Sequence, residues 1–148
     1  MQIAWIASAF LVLLTASAPA VAADPETVTL PSTPKIGTAE RKAIMDAMRV
    51  PVMKELKQRV VFKPSHLKVA AGWAFIVARP LQPNGRKVDY SRGIYAEAAK
   101  AGALEDQVVG LLKRGNRGWT VVAHVVGATD VPYVDWPDKY GAPKSIFP

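Results

Sequence analysis

The chain reads as an α+β domain: a kinked N-terminal helix packed on a curved four-stranded antiparallel sheet, with a short C-terminal aromatic helix or turn. Three observations predict it. Ile44, Met48, Val52 and Leu56 recur every four residues and place one apolar stripe along a helix. Two pairs of runs rich in Val, Ile, Leu and Phe follow, each pair joined by a turn signal that contains glycine. A tail carrying Tyr133, Trp136 and Tyr140 then closes the chain.

Ahead of the helix, residues 1–22 carry no charged side chain, and residues 3–14 are apolar apart from Ser8. This is the pattern of an export signal, ending in Ala20-Val21-Ala22, the small-x-small sequence that a signal peptidase accepts. Val21-x-Ala23 fits the same slot, so the mature chain is expected to start at Ala23 or Asp24, in the periplasm or outside the cell. The apolar run is short for a permanent span, and no transmembrane segment is expected after cleavage. Residues 23–37 hold three prolines and no period, which predicts an extended leader. The folded domain is expected over residues 38–148.

Thr38 is placed to cap the helix, and Glu40 lies in the first turn, where a negative charge meets the helix dipole. Pro51 removes one backbone donor and disfavours helical geometry at Val50, predicting a kink there or a second helix opened by Pro51. Met45, Met48 and Met53 at helical spacing read as core fillers. Residues 59–69 and 73–79 form the first strand pair, turning at Ala70-Ala71-Gly72. Trp73, Phe75 and Val77 alternate with Ala74, Ile76 and Ala78, so both faces of that strand should be covered. An alanine-rich piece over residues 93–101 predicts a short helix closed by Gly102. Residues 107–113 and 119–126 flank Arg114-Gly115-Asn116-Arg117-Gly118, a hairpin whose glycines suit a loop of four or five residues. Trp119, Val121, Ala123 and Val125 are the expected core face of the last strand. Asp135 and Pro137 mark the start of the tail helix.

Composition narrows the chemistry. Without cysteine there are no disulfides, thiolate metal sites, cysteine nucleophiles or lipid-accepting thiols. All 19 basic and 12 acidic residues lie beyond residue 22, so the domain keeps the formal charge of +7 and its natural partners are anionic. In an exported protein these are an anionic envelope component or another exported protein, with nucleic acid out of reach. Lys113, Arg114 and Arg117 are the densest cluster of positive charge and the candidate contact for such a partner.

Catalytic patterns are weak. His66 and His124 fall on different strands, and a His-His-Asp site with Asp89 or Asp130 would require them to converge. No H-E-x-x-H spacing exists, and neither a metal nor a cofactor is expected. Glu105 and Asp106 are neighbours on extended chain and point apart, while Asp135 and Asp138 share one short segment and cannot face each other across a cleft. Ser91 and Ser145 have no local activating base. Tyr133, Trp136 and Tyr140 form either a platform for a ligand ring or a lock of the C-terminus onto the sheet, and packing is the preferred reading.

The layout of one helix across a curved four-stranded antiparallel sheet resembles the cystatin-like and nuclear-transport-factor-like architectures, which scaffold pockets, inhibitors and interaction modules alike. The strings Arg41-Lys42-Ala43-Ile44-Met45-Asp46-Ala47-Met48-Arg49, Gly72-Trp73-Ala74-Phe75, Leu111-Leu112-Lys113, Gly118-Trp119-Thr120-Val121-Val122 and Val126-Gly127-Ala128-Thr129-Asp130-Val131 also resemble a family of small exported bacterial proteins of uncharacterised function. The resemblance spans roughly residues 40–140 and implies a compartment and a domain outline, with no activity and no site residue. Three functions remain in view: a non-catalytic binding domain of the bacterial envelope, a small periplasmic hydrolase using His124 with Asp130 or Asp135, and an exported immunity or inhibitor protein.

Overall fold

The computed structural model describes residues 29–148; the expected export signal, its expected cleavage point and the start of the expected leader lie outside them. The predicted stripe forms α1 (Ala39–Leu56), capped as expected by Thr38, whose hydroxyl accepts from the Arg41 amide. Pro51 does not divide it. Ile44 and Met48 before the proline and Val52 and Leu56 after it bury against the same sheet, and this shared packing holds one continuous helix through the missing hydrogen bond. The helix ends at Lys57 in a left-handed conformation.

Four strands follow: β1 (Val61–Ala70), β2 (Trp73–Leu81), β3 (Val108–Gly115) and β4 (Gly118–Val126). They pair antiparallel in the order β1-β2-β3-β4, leaving β1 and β4 as edges. Ala71 and Gly72 both have positive φ, so the first hairpin turns in two residues with the twist that flanking strands favour. The second turn is tighter than the four or five residues expected. Gly115 pairs with Gly118, and Gly118, at φ 112°, absorbs the strain that lets Asn116 and Arg117 alone close the loop.

Both sheet faces are buried. Under α1 lie Leu67, Ala74, Ile76, Ala78, Val108 and Leu112. On the opposite face, Ala70, Trp73, Phe75, Val109 and Leu111 meet the C-terminal segment, which contributes Trp136 from α3 (Trp136–Tyr140) and Ile146 from a terminal 3₁₀ turn. The alternation read from β2 therefore holds: Trp73 and Phe75 face the tail, Ala74 and Ile76 the helix.

The single core face expected for β4 does not hold. Leu111 pairs with Ala123 but Leu112 with Val121, so Val122 is an extra residue that inverts the alternation. Trp119 and Val121 pack under the helix, whereas Ala123 and Val125 pack with the tail. A second bulge, at Ser65, does the same to β1. It turns Phe62 toward the helix and Lys63 to the opposite face.

The long β2–β3 connection forms a 3₁₀ turn (Tyr90–Arg92) and α2 (Ala96–Lys100), shorter than the helix expected there. This segment closes over the end of α1. Gln58 exchanges two hydrogen bonds with the Asp89 backbone, and the Ile94 amide donates to the Glu55 carbonyl. A Cβ on Gly93 would lie 2.0 Å from that carbonyl oxygen, so only glycine permits the approach. The described part of the leader is tied down as well: Ser32 and Val69 exchange backbone hydrogen bonds, and the Arg41 side chain donates to the Pro34 carbonyl.

Candidate functional site

The basic hairpin tip is split by strand alternation. Lys113 lies on the tail face, its ammonium 4.8 Å from the centre of the Trp73 ring. Arg114 lies on the helix face, 3.4 Å from Glu40 and over the Trp119 ring. Arg117 is exposed in the turn. Two of the three cations thus have partners within the chain and point away from each other.

The aromatic tail is built into the core. Tyr133 and Phe147 sit 4.8 Å and 4.5 Å from the Phe75 ring, Trp136 meets Phe75 edge-on, and Tyr140 packs edge-on against Trp136. His66 fastens this layer by donating Nε2–H to the Ile146 carbonyl at 2.7 Å.

His124 lies on the opposite side of the sheet, so the two histidines do not converge. Its carboxylate partner is Glu55, from the last turn of α1, not Asp130 or Asp135. His124 Nε2 is 2.7 Å from Glu55 Oε1, and Glu55 Oε2 accepts the Tyr95 hydroxyl at 2.6 Å. His124 and Glu55 retain 22% and 23% side-chain exposure. Burial, then the hydrogen bond to Glu55 and its charge, pushes the Tyr95 phenol above its ordinary range, and burial with the Asp106 charge pushes Tyr90 up to about 12. His124 with Glu55 has the makings of an acid–base pair, but both Glu55 oxygens already hold donors. The network also joins α1, β4 and the 93–95 segment, which gives it a structural task. Glu55 was hard to foresee: it lies three residues beyond Val52, on the rim of the apolar stripe, and only the fold brings it to β4. Among the described residues, no group of three His, Cys, Asp or Glu is placed to hold a metal ion.

A cleft of about 560 Å³ opens elsewhere, at the end of the sheet away from the hairpin turns. It exists because β2 outruns β3. The β2–β3 ladder stops at the Ala78–Val108 pair, while β2 continues to Leu81, paired with β1 and bridged only at Leu81, to Lys87, on its other side. The approaching chain at 105–107 bonds to Gly127 rather than to β2. Lys63, Ser65, Val77, Arg79, Glu105 and Asp106 are among the lining residues.

Within the cleft, Lys63 and Arg79 are direct cross-strand partners. The bulge makes them so: continuing the register set at the turn, where Ala70 meets Trp73, would place Lys63 opposite Pro80. Like charges directly opposite each other destabilise a sheet. Both are exposed, and among the described residues neither side chain has an ion-pair or hydrogen-bond partner. Asp106 is engaged by Lys87 at 2.7 Å, whereas the neighbouring Glu105 carboxylate is unpaired. Neither Lys63 nor Arg79 stands out in the sequence: Pro64-Ser65 marks a break in the strand, but their opposition depends on the register that the bulge sets there.

Comparison with protein-family models, with curated proteins and with solved structures finds no match.

Proposed function

We propose that this protein is an exported, non-catalytic binding domain of the bacterial envelope, periplasmic or secreted, whose surplus positive charge holds an anionic component. The observation that carries the reading is the Lys63–Arg79 pair: two cations forced into opposition in an open cleft, with no counter-charge of their own. Such an arrangement costs the fold stability unless an anion occupies it. Net charge supports the same reading, and Arg117 at the hairpin tip adds a secondary contact.

Sedimentation with vesicles of phosphatidylglycerol or phosphatidylcholine, and with native envelope material, tests it across a salt series. The protein should pellet with anionic material and be released as salt rises. Lys63→Ala with Arg79→Ala should weaken retention more than Arg114→Ala with Arg117→Ala, because Arg114 is already engaged by Glu40. No retention, or retention indifferent to salt and to both pairs, refutes the reading.

A further inference from the structure

Resting on that reading, we propose that the cleft is a site for a small zwitterion, with an anionic group held between Lys63 and Arg79 and an ammonium group at Glu105. The two walls differ in sign. One presents two cations without partners; the other presents Glu105, whose carboxylate is free because Lys87 neutralises Asp106 instead. A lone anion would satisfy the first wall and leave the second acid facing it across the cleft. A ligand carrying both charges satisfies both.

Geometry and size agree with such a ligand. The Arg79 guanidinium offers a planar fork that suits a carboxylate or phosphate, and Lys63 beside it adds a point charge. Val77 supplies an apolar floor between the charged walls, and Ser65, at the β1 bulge with its hydroxyl donating to the Val77 carbonyl, adds an acceptor oxygen at the rim. A volume of about 560 Å³ falls in the range that holds small organic molecules and exceeds what a bare inorganic anion fills. The concave shape and the acidic wall also distinguish the site from a flat basic patch. An amino acid or short peptide and a phosphoethanolamine headgroup share the required chemistry.

Calorimetric titration of the exported chain separates these sources. The probes are the dipeptide Ala-Ala, its N-acetyl and C-terminal amide forms, and phosphoethanolamine. At least one zwitterion should bind saturably, the tighter of the two naming the source, and each blocked dipeptide should bind about tenfold or more weakly than Ala-Ala if the dipeptide is that source. Arg79→Ala should weaken the binding zwitterion to a similar degree. Glu105→Gln should weaken the zwitterions but leave any residual binding of the N-acetyl form unchanged, a difference that general loss of structure cannot produce. Because Arg79→Ala removes a like-charge opposition at an exposed position, its thermal midpoint should equal or exceed that of the wild type. Absence of saturable binding by both zwitterions overturns the proposal, as does N-acetyl-Ala-Ala binding as well as Ala-Ala. If salt-sensitive envelope retention persists in either case, the zwitterion site fails while the wider function stands.

Discussion

Ala71 sits at φ 47° in the first hairpin turn, a left-handed backbone that a residue with a Cβ occupies at a cost of roughly 1 kcal/mol. The following Gly72 takes the same region freely. Asn-Gly is the preferred pair for this turn, so Ala71→Asn is expected to stabilise the protein by about 0.5–1 kcal/mol. A rise in thermal midpoint checks it, and a fall would mean that the turn is held by something other than local backbone preference. The position of this turn was legible from Gly72 and the flanking alternation, but its type was not, because alanine gives no sign of a positive φ. Gly93 is the converse case. Its φ is ordinary, and the demand for glycine comes from the Glu55 carbonyl on a distant helix, which only the tertiary fold reveals.

The elements were legible where periodicity is long and uninterrupted. α1 and β2 follow their patterns through Leu56 and Ala78, since each apolar position meets a complementary layer. Legibility failed in β4, where one inserted residue reverses every side chain beyond it; in β1 the break at Pro64-Ser65 was visible but the reversal it causes was not, since a bulge changes pairing without changing composition. The tail was recognisable by its aromatics, and its weight in the fold follows from the strand it covers. Ile146 is fully buried against that face, although only a 3₁₀ turn carries it. Ile146→Ala is expected to cost about 2–5 kcal/mol in chemical denaturation. Leu30→Ala, at a residue 77% exposed, should leave the midpoint unchanged. Equal effects would show that the terminal layer contributes little beyond surface cover.

For the whole molecule, the two tyrosines over the end of α1 set an alkaline limit. The folded state holds the Tyr90 proton more tightly than the unfolded chain, with the phenol moved from 10.0 to about 12, and Tyr95 is shifted in the same direction. The stability linked to this shift is present in full below about pH 10 and falls as pH rises toward 12. Thermal midpoints over that interval should decline, and Tyr90→Phe with Tyr95→Phe should flatten the decline. An unchanged slope would place the alkaline transition elsewhere. The candidate cleft belongs to this scale too: its residues come from β1, β2 and the chain entering β3, so neither spacing nor composition could have assembled it. The net positive charge was legible, but its opposition at Lys63 and Arg79 follows from register. Both extra residues fall on the outermost strands, Ser65 on β1 and Val122 on β4, so neither rim offers an unbroken row of amides and carbonyls to another molecule. A cysteine-free sheet is thereby guarded against edge-to-edge stacking into fibrils, by irregularity of the backbone rather than by a covalent tie.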